Sequence, residues 1–301
     1  MRPELIQASE LLQRNTPEAV EEAIGLLQGT VYSFSMKVCG HREDAEDTMQ
    51  EVLFRSLKHL AKIPDAQALA AWLYTVTRNR CRRLRRPQSG APARNLSLDE
   101  LMPDNAELQQ LLVALDTDAE GEVLHAEEQH LLHEAVLRIA PSLRMVLVLH
   151  DMEELSTGEI SRILALQEGT VRVRLHRARL AVRKEMSFVL RGQPDGSRHL
   201  PSSGETSAPG NVPGSPRSKE CRELFANLSE YLDERVEPRT CAQIKAHIEA
   251  CPACVAFLKD LRAAIDRCRS LDIPCDPAVA HRMRAMMTRE YLRLLGTPLP
   301  D

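Results

Sequence analysis

The chain has 301 residues, and its 39 lysines and arginines against 43 aspartates and glutamates give a net charge of −4. This length predicts two or three domains rather than one. Aromatic residues make up only 3% of the chain, which argues against strand-rich sandwiches and barrels and predicts an all-α fold. Neither a membrane-spanning apolar run nor the apolar core of a secretion signal is present in the sequence, so we expect a cytoplasmic protein.

Two helices are predicted near the N-terminus. Thr16-Pro17-Glu18 has the cap residue, proline and early acid of a helix start. A second helix is predicted from Glu43-Asp44, with apolar residues at helical spacing on one face. Its other face carries Asp47, Gln50, Glu51 and Phe54. Periodicity alone leaves open whether that face is solvated surface or a docking face.

The next segment places the single tryptophan of the chain beside a run of arginines. Trp72 and Tyr74 precede six arginines between Arg78 and Arg86. Aromatic rings stack on unpaired bases and arginines bind phosphate, so this combination favours single-stranded or melting DNA. The alternative is that Trp72 is a core anchor and the arginines are ordinary surface.

A helix-turn-helix is predicted between residues 156 and 184, after an acidic stretch (95–130) that contains no lysine or arginine. Ser156 and Glu159 form a capping box at the start of a short helix. A break at residues 165–169 precedes Thr170, which we expect to open a second, arginine-rich helix. Such a second helix lies in the major groove, where arginines bind guanine edges or phosphates.

These segments resemble the RNA polymerase sigma factors of the extracytoplasmic-function type over roughly residues 15–190. The region two helix that binds polymerase is similar to REDAEDTMQEVLF (42–54). The part of region two that melts and reads the minus-ten element is similar to AWLYTVTRNRCRRLRR (71–86). Region four, which reads the minus-thirty-five element, is similar to residues 143–184. The resemblance implies polymerase contacts at Asp47, Gln50, Glu51 and Phe54. It implies DNA contacts at Trp72, Arg78, Asn79, Arg80, Arg82, Thr170, Arg172, Arg174 and Arg177.

Residues 191–218 are predicted to be a flexible linker, because five glycines, five prolines and six serines leave too little apolar surface to bury. Six of the eight cysteines follow it, between Cys221 and Cys275. Clustered thiols in a cytosolic chain are typical of metal or redox sites.

A zinc site is predicted from the spacing H-x3-C-x2-C of His247, Cys251 and Cys254. Tetrahedral zinc requires a fourth ligand, for which Cys221 is the first candidate and Cys241 the competitor. We expect one zinc ion, with another soft metal as a second option. A reduced, buried Cys-x2-Cys pair beside an unrelated histidine is the alternative.

This part, about residues 219–262, resembles the zinc-binding anti-sigma family, whose members bind sigma factors and block their polymerase contacts. The resemblance implies an intramolecular contact between the zinc module and the sigma regions. An apolar stripe follows at Val279, Met283, Met286, Met287, Tyr291 and Leu294. We expect residues 278–295 to cover the face of region two that bears Asp47, Gln50, Glu51 and Phe54 and so to compete with polymerase for it. The alternative is a helix that only extends the C-terminal module.

The expected domains are sigma region two (1–90), an acidic linker (91–127), region four (128–190), the Gly/Pro/Ser-rich linker (191–218), the zinc-binding domain (219–270) and a tail with an amphipathic helix (271–301). The expected function is promoter-specific transcription initiation with core RNA polymerase and promoter DNA as partners, regulated in cis by the thiol module. The alternatives are a freestanding helix-turn-helix regulator and a Cys-x2-Cys thiol oxidoreductase. No enzyme signature is found, so we expect no catalytic activity.

Overall fold

The computed structural model describes residues 1–14, 16–60, 62–83, 97–103, 107, 109–111, 125–190, 221 and 228–295. The linker at 191–218 and most of the acidic linker lie outside these residues. Helices account for the regular structure of the described residues, which contain no strand, and the expected all-α class is confirmed. None of the described helices combines the length and apolarity needed to cross a bilayer.

The helices are numbered in chain order. They are α1 (Pro3–Arg14), α2 (Pro17–Cys39), α3 (Arg42–Leu60), α4 (Ala66–Arg83), α5 (Leu98–Leu101), α6 (His125–Arg138), α7 (Pro141–Leu147), α8 (Thr157–Leu164), α9 (Glu168–Leu190), α10 (Leu228–Leu232), α11 (Pro238–Ala250), α12 (Pro252–Ser270) and α13 (Pro277–Leu295). A π-helical turn, Val148–Met152, lies between α7 and α8.

Local chemistry accounts for the helix ends. Thr16 caps α2 by accepting a hydrogen bond from the Ala19 amide, and Gly40 ends the helix at φ 81°, where a Cβ would be strained. Ser156 and Glu159 form the expected capping box at the start of α8. The capping box thus fixes the start of the first helix of the predicted helix-turn-helix.

The first compact unit consists of residues 1–88, 144–171 and 271–301. Helices α1, α2, α3 and α4 pack on one another, α8 packs on α4, and α13 packs on both α2 and α3. The fully buried side chains at its centre include Leu5, Ile24, Leu27, Phe34 and Met49. Segments far apart in the sequence therefore share one hydrophobic core.

The second compact unit consists of residues 89–143 and 172–270. It includes α6, most of α9 and the C-terminal helices α10–α12, with α11 packed on α12. Phe257, Leu261 and Ile265 on α12 are buried, as are Leu175 and Val182 on α9. The apolar side of α9 is therefore a core face.

The turn of the helix-turn-helix differs in detail from the sequence prediction. The second helix begins at Glu168, two residues before the predicted Thr170. Ala165 is the left-handed residue that ends α8, at φ 54°, whereas Gly169 lies inside α9. The amide of Leu166 donates to the Ser161 carbonyl and closes the turn, so hydrogen bonding holds an alanine where glycine is the usual residue.

The predicted apolar stripe of α13 is partly wrong. Met283, Met287 and Tyr291 are buried together with Leu292, which was not in the stripe. Met286 and Leu294 are 41% and 52% exposed. The buried residues are four apart (283, 287 and 291). Met286 and Leu294, each three residues after one of them, therefore lie outside the buried face.

Candidate nucleic-acid interface and metal site

The predicted polymerase face of α3 is largely accessible. Asp47 and Gln50 are exposed, and Phe54 is a large apolar side chain with 55% of its surface exposed. Glu51 differs, because its carboxylate lies 2.9 Å from Arg55 and 2.6 Å from Arg80 on α4. The expectation that α13 covers this face is wrong, because α13 packs on α2 and α3 while Asp47, Gln50 and Phe54 remain exposed.

The predicted minus-ten residues lie along α4 in different environments. Trp72 is half-buried, and its ring lies 5.8 Å from that of His59. Asn79 and Arg82 are exposed. The Arg78 guanidinium donates to the Ile163 carbonyl at 2.5 Å. Burial, followed by the charge of Arg82, lowers the pKa of Arg78.

The start of α9 is the accessible part of the predicted recognition helix. Arg172 and Val173 are exposed, the latter by 60%, while Thr170, Arg174 and Arg177 are half-buried. The residues near the N-terminus of a recognition helix are the part that reaches base edges.

Two further arginines on α9, Arg179 and Arg183, are fully buried, with 0% and 1% of their side chains exposed. Arg179 donates to both carboxylate oxygens of Asp233, at 3.0 and 2.8 Å, and to the carbonyl and hydroxyl oxygens of Ser229. Arg183 lies 2.7 Å from Glu107 and 3.0 Å from Asp260, with its guanidinium 4.9 Å from the centre of the Phe257 ring. We call these contacts the arginine clamp.

Sequence reasoning did not find the arginine clamp. Asp233, just after α10, and Asp260, on α12, are 54 and 77 residues from their arginines, and helical periodicity gives no information on such pairs. The available signal was the four-residue spacing of Arg179 and Arg183 on an apolar helix face, which indicates that both point toward the same neighbour.

The four predicted metal ligands converge. Each residue offers one ligand atom, and the four atoms lie within 4.8 Å of one another. The residues are Cys221, His247, Cys251 and Cys254. The Nε2 atom of His247 is 3.3 Å from Sγ of Cys221 and 3.2 Å from Sγ of Cys254, and these two sulfurs are 3.6 Å apart. Tetrahedral zinc with ordinary bond lengths requires about 3.6 Å between nitrogen and sulfur and about 3.8 Å between sulfurs. The donor set and the spacing therefore fit a zinc ion.

The local fold explains this convergence. His247 lies in the last turn of α11, Cys251 ends that helix, and Pro252 begins α12, which brings Cys254 back toward the histidine. Cys241, the competing fourth ligand, lies in the first half of α11, outside the cluster.

Two effects on the ionisation of Cys254 oppose each other. A position near a helix N-terminus favours a thiolate, yet burial, the neighbouring Cys221 and a hydrogen bond to Cys251 raise the pKa of Cys254. Burial among sulfurs therefore outweighs the helix dipole while no cation is bound. A metal ion reverses this balance, because a coordinated thiol is deprotonated.

Comparisons with known proteins agree with this architecture. Residues 24–90 match the family Sigma-70 region 2, residues 129–182 match Sigma-70 region 4, and residues 221–254 match a zinc-finger family. The ECF RNA polymerase sigma factor SigL of Mycobacterium tuberculosis (strain H37Rv) is 31% identical over 51% of this chain and 80% of its own length. SigW of Bacillus subtilis (strain 168) is 25% identical over 58% of this chain and 92% of its own, and the sigma-H factor of Pseudomonas aeruginosa is 26% identical over 62% and 95%.

A helical region two and a helix-turn-helix region four in one chain define a sigma factor. The chain belongs to the ECF RNA polymerase sigma factors, and it directs promoter-specific transcription initiation. A freestanding helix-turn-helix regulator is not favoured, because region two is matched as well. Sigma factors are not enzymes.

Proposed function

We propose that this sigma factor is restrained in cis by a C-terminal module that binds one zinc ion and holds region four through the arginine clamp. The single observation that carries the proposal is the complete burial of Arg179 and Arg183 against the carboxylates of Asp233 and Asp260. Arginines of a recognition helix normally bind phosphates. Here carboxylates take the place of the phosphate oxygens.

Zinc would couple metal binding to this restraint. Cys221 precedes α10 and Asp233, while Cys254 and Asp260 share α12. A single ion joining Cys221 to α11 and α12 would fix the segments from which both clamp acids extend. Loss of the ion, by thiol oxidation or by exchange for a softer metal such as Cu(I), would release them.

The tail helix α13 would act on region two. Asp276 caps α13 through the Ala278 amide at 2.8 Å and pairs with Arg42 at the start of α3, at 2.9 Å. Gln28 on α2 donates to the Ala280 carbonyl at 3.2 Å. Because Asp47, Gln50 and Phe54 remain exposed, α13 would hinder polymerase by holding α2 and α3 in place rather than by covering these side chains.

The remaining assignments complete the proposal. Core polymerase would bind at Asp47, Gln50 and Phe54, the minus-ten element at Trp72, Arg78, Asn79, Arg80 and Arg82, and the minus-thirty-five element at Thr170, Arg172, Arg174 and Arg177. Glu51, predicted from the sequence as a polymerase contact, would instead hold Arg80 at the face of α4. The protein would act in the cytoplasm, where polymerase and template are found.

Run-off transcription with core polymerase tests the restraint. The full chain with zinc should be less active than a chain ending at Leu190, and a Cys251→Ser, Cys254→Ser double variant should approach the truncated chain. Cys241→Ser, on the same helix as His247 but outside the cluster, is the matched control and should keep full restraint. Equal activity of the full and truncated chains would contradict restraint in cis.

Zinc stoichiometry is measured on the same proteins. One ion per chain is expected for the unchanged protein and for Cys241→Ser, with loss in Cys221→Ser and in the double variant. Because the ligands must be deprotonated to bind, affinity should fall as the pH drops. Zinc retained by the double variant would rule out this site.

A further inference from the structure

Two cysteines outside the zinc site meet where helices α2, α3 and α4 pack on one another. Cys39 is the last residue of α2, and Cys81 lies in the last turn of α4. The two thiols form a hydrogen bond with each other. Both cysteines belong to the first compact unit, and neither is among the predicted contacts with polymerase, DNA or metal.

The helix faces that carry these thiols are core faces turned toward each other. Ser35, one turn before Cys39 on α2, is fully buried, and Thr77, one turn before Cys81 on α4, is 1% exposed. The hydroxyls of Ser35 and of Thr48 on α3 lie beside the Cys81 sulfur. A disulfide forms only between cysteines whose side chains face each other at short range. Packed helices hold Cys39 and Cys81 in such an arrangement.

The two sulfurs differ in exposure and in ionisation. Cys81 is 4% exposed, whereas Cys39 is half-buried at the end of its helix. The hydrogen bond from Cys39 lowers the pKa of Cys81 more than burial raises it. The hydrogen bond to Cys81, followed by burial, raises the pKa of Cys39. Because the thiolate is the nucleophilic form, Cys81 is the attacking sulfur and Cys39 is the thiol that resolves the product.

We infer that Cys39 and Cys81 form a reversible disulfide when the protein meets a peroxide, and that this bond holds the end of α4 against α2. Hydrogen peroxide is close to water in size, and the half-buried Cys39 is the side from which it reaches the pair. The site involves no residue of the zinc module.

The reaction has two steps. The Cys81 thiolate attacks one oxygen of hydrogen peroxide, the O–O bond breaks, and hydroxide leaves while Cys81 becomes a sulfenic acid. The Cys39 thiol then attacks the Cys81 sulfur, and its proton leaves with the sulfenic hydroxyl as water. The hydroxide takes up the proton that Cys81 lost on ionisation. Two thiols are thus oxidised by two electrons and the peroxide is reduced to two waters, and exchange with a dithiol reductant restores both thiols.

The bond has a consequence for α4, which rests on the proposed assignment of minus-ten contacts to that helix. Cys81 lies between Arg80 and Arg82 in the sequence. A covalent S–S bond is shorter than a hydrogen bond between two sulfurs, so its formation draws the last turn of α4 toward α2. Arg80 and Arg82 move with that turn. We therefore expect the oxidised protein to open promoter DNA less well than the reduced protein.

Peptide mapping of the full chain tests the bond itself. After peroxide treatment and alkylation of the remaining thiols, trypsin should release residues 38–42 joined to residues 81–82, and dithiothreitol should separate them. Cys39→Ser should abolish this linked pair. Cys275→Ser is the matched control, because Cys275 is another partly exposed cysteine of the same compact unit outside the zinc cluster, and it should keep the linked pair.

Permanganate reactivity of unpaired thymines, in the presence of core polymerase, measures the consequence for promoter opening. Catalase removes the peroxide before polymerase is added. Peroxide should lower opening about tenfold more in the unchanged chain than in Cys39→Ser, which is the loss expected when one hydrogen bond from an arginine to DNA is broken. The zinc module meets the same peroxide in both proteins, so the difference between them reports on the cysteine pair. Circular dichroism monitors folding, and Cys39→Ala takes the place of Cys39→Ser if that variant loses helicity.

Three results would overturn the inference. They are the absence of the linked peptides, a bond from Cys39 to a different cysteine, and an equal effect of peroxide on promoter opening by the unchanged chain and by Cys39→Ser. The peptide map reports on the cysteine pair whether or not the zinc module restrains the chain and whether or not α4 binds the minus-ten element. Transcription by the chain ending at Leu190 reports on that restraint whether or not the disulfide forms.

Discussion

Breaking one half of the arginine clamp gives a direct measure of the restraint on region four. Asp233→Asn removes the negative charge that faces Arg179 and leaves an amide with one acceptor. Arg179 is fully buried and loses its bidentate partner, but it keeps two hydrogen bonds to Ser229. Removing one partner of a buried pair costs about 3–5 kcal/mol. The remaining bonds and the 12% exposure of Asp233 reduce the expected loss to about 2 kcal/mol.

A loss of about 2 kcal/mol changes the ratio of restrained to released protein about 30-fold. Run-off transcription at limiting protein concentration should therefore rise toward the level of the chain ending at Leu190. Zinc content should stay at one ion per chain, since Asp233 is not among the ligands.

Asp266→Asn is the matched control for this variant. Asp266 is also an aspartate of the module and is 3.1 Å from Arg269, but both side chains are more than half exposed, at 57% and 53%. Exposed pairs of this kind contribute about 0–1 kcal/mol. If Asp233→Asn behaves like Asp266→Asn while the truncated chain is active, the clamp does not restrain region four.

Three other predictions concern α8 and α9. Exchanging the two turn residues (Ala165→Gly with Gly169→Ala) should stabilise the fold by about 1–2 kcal/mol, as measured by thermal unfolding, because glycine is favoured at φ 54° and alanine is favoured inside a helix. No gain in stability would mean that the turn is not strained. Burial, followed by the charges of Arg179 and Arg177, lowers the pKa of His176 to about 4, so the unfolded chain binds the extra proton and the free energy of unfolding should fall by about 3 kcal/mol as the pH drops from 6.5 to 4. His176→Leu should flatten this part of the plot of unfolding free energy against pH, whereas His130→Gln, at an exposed residue, should not; parallel plots for His176→Leu and the unchanged protein would refute the shift. Changing Arg172, Arg174 or Arg177 singly to Ala should cost about 1–3 kcal/mol in promoter binding and relax specificity at one base pair if the arginine contacts a base, whereas loss of a phosphate contact should weaken binding to all sequences alike and reduce its salt dependence. Unchanged promoter binding in all three variants would refute the placement of α9.

Sequence patterns predicted the features that depend on neighbours along the chain. The capping box of α8, the start of α2 and the ligand spacing across Cys251-Pro252-Ala253-Cys254 all follow from residues within one or two turns. The left-handed Ala165 was not predicted, because Gly169 is the residue that usually takes this conformation.

Sequence patterns could not predict the residue pairs that are far apart in the chain, for a different reason. Arg179 with Asp233 and Lys37 with Glu153 depend on which helix faces approach in three dimensions, and these pairs are 54 and 116 residues apart. An arginine expected on a DNA-binding surface and an arginine in a buried ion pair look the same in a sequence. Burial separates Arg172, which is exposed, from Arg179, which is not.

Glu51 shows how such a pair changes a functional prediction. Its sequence position on α3 groups it with Asp47 and Gln50 as a polymerase contact. In the structure its carboxylate lies between Arg55 and Arg80, each within 3 Å, and only 27% of its side chain is exposed. A polymerase residue would have to displace at least one of these arginines, whereas Asp47 is free to bind without any rearrangement.

We therefore expect Glu51→Gln to act mainly through Arg80. Losing an ion pair whose side chains are about one quarter exposed should cost about 1 kcal/mol, or about fivefold, in promoter opening, since Arg80 is no longer held at the face of α4. Permanganate reactivity of unpaired thymines measures opening, and core polymerase affinity is measured in parallel on Asp47→Asn. Asp47→Asn should weaken polymerase binding and Glu51→Gln should not. Equal losses of polymerase affinity in the two variants, with unchanged opening, would return Glu51 to the polymerase face.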